Sequence, residues 1–376
     1  MQTTAKPGYR KTAETFGQGA TTLPQRYFIS PEVFAAEMEA IFSAHWVLVG
    51  HQSQIDRAGD FFVAEVAGES LIIARDREER VRGFYNVCRH RGTRLCEEQR
   101  GHSTTIQCPY HAWTYALDGK LVGAPHMDAV PGFAKGDYSL HAVNLALWEG
   151  FIFVNLGDNP SPLEEVFAPL IGKFAHWNLP KLRSARRIEY DVRANWKLIF
   201  ENYSECYHCP GVHPALQKLT PYDLAENDLC EGPFLGGYMP ITKGHSLTMS
   251  GNACARAVGD ISADDHGRVF YYSIFPNMLL SIHPDYVMVH QLWPQASDRT
   301  LILCDWFFHR EAAESAAPAY NPDDAIGFWD MTNKQDWHVC ELSQQGIVSR
   351  AYQPGPYSPR ESIPAAWDRE YLRHMK

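Results

Sequence analysis

The chain has 376 residues, 45% of them hydrophobic, with 24 prolines and 27 glycines dispersed along it and a formal net charge of −10. That length calls for two domains rather than one, and the composition is that of a folded protein, not a fibrous or disordered one. The acidic balance, without any block of five or more Lys/Arg, argues against a nucleic-acid surface.

The start, Met1 to Leu23, is polar and carries no apolar stretch of the secretory kind. The longest apolar runs, such as Leu145–Leu156, stop well short of the roughly 18 residues that cross a bilayer. The expectation is a soluble, cytoplasmic protein with no membrane contact. Nine cysteines in such a compartment read as metal ligands or core residues rather than as a disulfide framework.

Ser30-Pro31-Glu32 is a helix start, with a Ser cap, Pro at the first helical position and an acid in the first turn. Phe34, Met38, Ile41 and Phe42 then recur at helical spacing, which predicts a helix over Pro31–Ser43. From Trp46 the pattern changes to short strand-like runs, Phe61–Val66, Leu71–Ala74, Arg82–Val87 and Phe151–Leu156, with Asp118-Gly119 as a two-residue hairpin turn. After Asp158-Asn159-Pro160 the pattern is mixed. Ala194–Cys209 reads as helix, then Val269–Phe275, Met278–His283, Tyr286–Trp293 and Thr300–His309 as strands. Asp323–Gly346 reads as a long final helix before a Pro-rich tail.

Two groups of residues carry chemistry. Cys88-Arg-His90 and Cys108-Pro-Tyr-His111 stand seventeen residues apart, and each supplies one thiolate and one imidazole. A zinc finger pairs Cys with Cys and then His with His. The order Cys-His, Cys-His instead suits a Rieske [2Fe–2S] cluster, with two Cys on one iron and two His on the other. Cys96, between the two halves, falls outside the pattern and reads as structural.

The second group is Glu201-Asn-Tyr-Ser-Glu-Cys-Tyr-His208-Cys-Pro-Gly-Val-His213. Asn202, Glu205 and His208 are spaced i, i+3, i+6 and would line one helix face. Pro210-Gly211 should then end that helix and let His213 swing back towards His208. Two His and a carboxylate with open positions form the ligand set of non-heme iron(II) oxygenases. H-x₄-H alone is a weak signal, and the upstream cluster motif strengthens it.

With both motifs in hand, the chain resembles the α subunits of Rieske non-heme iron oxygenases over nearly its whole length. Trp148-Glu-Gly-Phe-Ile-Phe-Val154 closing the first domain joins the match. The resemblance implies an α+β fold: an all-β Rieske domain at 45–157, and a helix-grip-like catalytic domain at 158–376 with an antiparallel sheet and a long C-terminal helix. The arm and helix at 1–44 would pack on the catalytic domain. It also implies Asp336 as the third iron ligand, with Asp330 as the substitute.

Dioxygenases of this family carry Asp three residues before the first iron His, whereas Glu205 stands there in this chain. That Glu, with Glu-Cys-Tyr-His-Cys and Ala-Tyr-Gln-Pro-Gly-Pro-Tyr-Ser358, resembles the branch acting on glycine betaine, choline, carnitine and stachydrine. A quaternary ammonium ion has no N–H and is held by aromatic faces. Tyr203 and Tyr207 beside the iron motif, and Tyr271, Tyr272, Phe275 and Trp293 on strands, are the aromatic candidates for such a pocket.

The implied activity is O₂-dependent hydroxylation or N-demethylation of a small molecule, with a [2Fe–2S] cluster and a mononuclear Fe(II) in the chain. With no G-x-G-x-x-G fingerprint present, NADH and flavin would belong to a separate flavin/iron–sulfur reductase. A head-to-tail homotrimer would pass electrons between subunits through His111 or His90, then Glu205 and His208. Two rivals stand beside this reading. One is an aromatic ring-hydroxylating or O-demethylating oxygenase, and the other a Rieske electron carrier without oxygenase activity.

Overall fold

The computed structural model describes residues 8–311 and 320–376, so the first seven residues of the expected N-terminal arm lie outside it. The chain divides into two compact units, Ile41–Ala168 on one hand and Met1–Ala40 with Pro169–Lys376 on the other.

The unit Ile41–Ala168 is all-β. Asn144–Trp148, Phe151–Asn155 and Val47–His51 form one antiparallel sheet. Val81–Tyr85, Glu69–Arg75, Asp60–Val66 and Arg100–His102 form a second, and Thr105–Gln107, Thr114–Ala116 and Leu121–Gly123 a third. Asp118-Gly119 makes the expected hairpin turn. Gly119 has φ +89°, and a Cβ there would meet the Phe84 ring at 2.5 Å, so the position takes no side chain. Ile72, Phe84, Leu95, Ile106, Trp113, Tyr115 and Leu117 form a core into which Cys88 and Cys108 are built.

The other unit is built on an eight-stranded antiparallel sheet. Its order is Arg10–Lys11, Glu226–Leu229, Phe234–Pro240, Arg268–Ile274, Met278–Ile282, Val287–Ala296, Arg299–His309 and Leu182–Val192. The strand Leu182–Val192 escapes sequence reading because its outward residues include Arg183, Arg186, Glu189 and Asp191, leaving little apolar alternation. The long helix runs Pro322–Ile347. The tail is more than Pro-rich coil, for Ser362–His374 is a helix that buries Ile363, Trp367 and Tyr371. Among the described residues no helix is long and apolar enough to cross a membrane.

The iron-motif segment corrects the expected helix over Ala194–Cys209. Asn195 caps Trp196–Tyr203 by accepting from Lys197 N–H at 3.1 Å, and the helix stops there. Ser204 turns its hydroxyl to Ser273 at 2.7 Å. The Glu205 carboxylate takes the backbone N–H groups of Tyr207 and His208, a local alternative that competes with continued helix. Asn202, Glu205 and His208 therefore do not share one helix face. A separate turn, Cys209–Val212, contains Pro210, and His213 leaves it at φ −121°, ψ 65°.

The expectation of thiols without disulfides also needs correction. Cys206 and Cys209 are bonded, because that tight turn brings their Cα atoms to 5.0 Å. The other seven cysteines are free.

Beneath the iron motif lies a buried polar cluster. Glu37 accepts from Lys197 Nζ at 2.5 Å, Trp196 Nε1 at 2.8 Å and Tyr371 OH at 2.6 Å. It ties an N-terminal helix, Pro31–Glu37, to the iron-motif helix and the last helix.

Candidate metal centres

The two Cys-His motifs fold into a matched pair of loops. Cys88 N–H bonds Thr93 O at 2.8 Å and Gly92 N–H bonds Cys88 O at 3.0 Å. In the other loop Cys108 N–H bonds Trp113 O at 2.8 Å and Ala112 N–H bonds Cys108 O at 3.1 Å. The fifth residue of each, Gly92 and Ala112, has positive φ, +77° and +56°. Both cysteines are buried, while the His90 and His111 rings lie edge to face at 4.7 Å. His90 is further stacked on Trp113 at 4.7 Å.

These loops fit a two-iron cluster. The buried Nδ1 of His90 has no hydrogen-bond partner, which an iron would satisfy. Burial, then the neighbouring His111 and Arg91, lower the His90 pKa and keep its ring a neutral ligand. Tyr115 OH lies 3.4 Å from Cys88 Sγ and accepts Arg89 N–H at 3.0 Å, so it is placed to touch a ligating sulfur. Cys96 stands apart from the pairs. Its backbone is held by Asn86 at 2.8 and 2.9 Å, and burial pushes its thiol up to about 11.

In the larger unit His208, His213 and Asp336 converge. The two Nε2 atoms are 3.2 Å apart, and Asp336 Oδ1 lies 2.8 Å from His213 Nε2 and 3.2 Å from His208 Nε2. Each Nδ1 faces an oxygen, Glu205 Oε1 at 2.5 Å for His208 and Gln335 Oε1 at 2.8 Å for His213. Those bonds put the ring hydrogens on Nδ1 and leave two bare Nε2 lone pairs and a carboxylate around one point. Three acceptors without a donor is the arrangement that a divalent cation satisfies. The demand for positive charge is visible otherwise as well. Burial opposes a charge on His208, yet Asp336 and Glu205 push its pKa up to about 10. Burial likewise raises Asp336, but its two histidines win and hold it below the usual range.

Asp330 stands outside this set. It takes Tyr190 OH at 3.0 Å and Lys334 Nζ at 2.6 Å.

A cavity opens on the three ligand residues, lined also by Asn202, Tyr203, Glu205, Tyr207 and Tyr271. Tyr203 is fixed by Ser281 at 2.9 Å, and Tyr207 is largely exposed. Three aromatic candidates are corrected. Tyr272 points to the opposite face of its strand from Tyr271 and bonds Asp228 at 2.9 Å. Phe275 packs in the core against Trp196 and Trp367. Trp293 is not among the lining residues, for Met288 and His290 turn inward and an odd step along the strand puts Trp293 on the other face.

Other lining residues went unrecognised in the sequence. Trp329, Thr332, Asn333 and Trp337 line the cavity with the expected Asp336, at i, i+3, i+4 and i+8 of one helix on which Asp336 is i+7. Projecting helical periodicity outward from Asp336 would have found Trp329. Tyr222 and Arg360 lie in short helical turns and Tyr238 within the interior strand Phe234–Pro240, and no local sequence signal marks them.

Known proteins share this pattern. Residues 45–134 match the Rieske [2Fe-2S] domain, and residues 179–376 match the ring hydroxylating alpha subunit catalytic domain. The glycine betaine monooxygenase oxygenase subunit of Chromohalobacter salexigens is 33% identical, over 91% of this chain and 82% of its own. The carnitine monooxygenase oxygenase subunit of Escherichia coli K12 is 30% identical, over 89% of this chain and 86% of its own. A solved quaternary ammonium Rieske monooxygenase, studied for carnitine oxidation by gut microbiota and inter-subunit electron transfer, superposes with a TM-score of 0.81. It is 26% identical, covering 98% of this chain and 100% of that one.

Proposed function

Because the chain belongs to the Rieske ring-hydroxylating α-subunit family, we propose that it is the oxygenase component of a monooxygenase acting on a quaternary ammonium compound such as glycine betaine. The observation that carries the substrate class is the cavity itself. Aromatic side chains of Tyr203, Tyr271 and Trp329 stand in one pocket with the carboxylates of Glu205 and Asp336. A cation with no N–H to donate is held by such faces and by nearby negative charge. Burial raises the phenols of Tyr203 and Tyr271, so these walls stay neutral.

In this reading Cys88, His90, Cys108 and His111 hold the cluster, and His208, His213 and Asp336 hold the iron. When bound, the cluster supplies single electrons and the iron supplies oxygen activation. Glu205 and Gln335 fix the tautomers of the two histidines through their Nδ1 hydrogens. The cavity orients an N-methyl group, or a carbon next to nitrogen, towards the ligand set. An N-hydroxymethyl product sheds formaldehyde and a proton and leaves a tertiary amine. Electrons come from NADH through a separate flavin/iron–sulfur reductase. A head-to-tail trimer would place Glu205 on the route between one subunit's cluster and the next subunit's iron.

The test is O₂ uptake with reductase, NADH and a panel of glycine betaine, carnitine, choline and simple aromatics. Formaldehyde released in step with a betaine is the expected result. Coupled product from an aromatic, with none from the ammonium compounds, would overturn the substrate class. His213→Ala should abolish turnover while the cluster's EPR signal survives, which separates an oxygenase from a bare electron carrier.

A further inference from the structure

We propose that Arg360 is the anion anchor of the cavity and holds the carboxylate of a zwitterionic substrate whose ammonium end rests on the aromatic wall. The inference rests on the quaternary-ammonium reading above and adds what selects one such compound over another.

The cavity is electrically uneven. Its lining includes two carboxylates, Glu205 and Asp336, and Arg360 is the one Lys or Arg side chain among the lining residues. A substrate that is positive at one end and negative at the other is met by opposite charges along such a pocket. Choline and tetramethylammonium have no group for Arg360, whereas every carboxylated betaine does.

The local structure fixes the Arg360 backbone and leaves its head group usable. Arg360 sits in the short turn Pro359–Glu361 ahead of the last helix. Ser358 Oγ accepts Arg360 N–H at 3.1 Å, and Glu361 Oε2 accepts Ser358 N–H at 2.7 Å, so the turn is capped from both sides. Glu361 is thereby directed to the backbone rather than to the guanidinium. Arg360 Nη1 donates to the Asp223 carbonyl at 3.2 Å, and its guanidinium lies 5.7 Å from the Tyr222 ring centre. Among the described residues it pairs with no carboxylate. A partly buried guanidinium with one carbonyl partner and a planar donor fork is suited to bidentate capture of a carboxylate.

A purely structural role, in which Arg360 only tethers the 222–224 turn, predicts something different. It would weaken all ligands alike, because the whole wall would shift.

The deciding measurement is the Kd of the metal-loaded oxygenase for glycine betaine and for choline, by anaerobic calorimetry. Wild type, Arg360→Gln and Arg360→Lys are compared. Wild type should prefer glycine betaine. Arg360→Gln should raise the betaine Kd about tenfold or more, the size of a lost charge-assisted bond, and leave choline within about twofold. Arg360→Lys keeps the charge without the fork and should fall between, which keeps the test open if the Gln variant does not fold. Equal weakening of both ligands, no change in either, or a wild-type preference for choline overturns the role of Arg360 and leaves the quaternary-ammonium reading intact. A wild type that binds neither compound also overturns the role of Arg360, and the O₂-uptake panel with carnitine then decides separately whether the quaternary-ammonium reading stands.

Discussion

His213 Nδ1 lies 2.8 Å from Gln335 Oε1, and the residue that follows Gln335 is Asp336, whose Oδ1 lies 2.8 Å from the other nitrogen of the same ring. One helix thus orients a proposed ligand with one side chain and joins it at the metal with the next. Gln335→Leu removes the acceptor for the Nδ1 hydrogen but leaves all three ligand side chains. Iron affinity should fall about 10- to 100-fold, measured by equilibrium dialysis against a chelator, with the cluster's visible spectrum unchanged. Gln335→Glu keeps an acceptor and should retain most of the affinity. Unchanged affinity in the Leu variant would show that Gln335 has no part in holding the ring.

Glu205 has a double task in the proposed scheme, for it holds His208 Nδ1 and lies on the electron route. Glu205→Gln retains an oxygen for the Nδ1 hydrogen and loses the charge. Iron content should therefore stay close to wild type. Reoxidation of the reduced cluster by substrate and O₂, followed by stopped flow, should slow by about 10- to 100-fold. Reoxidation at the wild-type rate would take Glu205 off the route.

These two residues show what the sequence could and could not reveal. The cluster loops were legible because their ligands lie within two short segments, and a local motif is also a local structure. Glu205 was legible by its place beside His208, yet its helix was misplaced, since capping by a carboxylate looks like helix in a periodicity count. Gln335 carries no signal, because its role depends on His213, 122 residues away in the chain. The same holds for Phe275 and Trp293. Each reads as an aromatic on a strand, and only strand parity and the neighbouring helix decide which face meets the cavity.

The pair Glu37 and Lys197 sits at 2.5 Å with both side chains fully buried. Removing one member strands the other charge without water, so Lys197→Met should cost about 3–5 kcal/mol in urea unfolding. Adding Glu37→Gln removes the stranded charge, its oxygen can accept from Trp196 Nε1, and its amide can donate to the Tyr371 hydroxyl oxygen. The double variant should then recover at least half of the loss. A double variant no more stable than Lys197→Met would mean that packing of the lysine stem, rather than charge, dominates this cluster.

Asp368 makes the stability of the same region depend on pH. Burial drives its carboxyl up to about 7, against hydrogen bonds from Tyr357 and Glu201 that work to lower it. Burial, then the charge of Asp368, also raises Glu201 well above the carboxylate range, and Glu201 Oε1 has no hydrogen-bond partner of its own. The unfolded chain releases the Asp368 proton near pH 4, while the folded chain keeps it to about 7. Over that window the folded state binds more protons, so its stability falls as pH rises and levels off above 7. Asp368→Asn has no proton to lose, and its amide oxygen can still accept from Tyr357 OH, which lies 2.9 Å from Asp368 Oδ2. The variant should match wild type near pH 4 and exceed it by about 1–2 kcal/mol at pH 8 in urea unfolding. Two curves that run parallel from pH 4 to 8 would place the titration elsewhere in the protein.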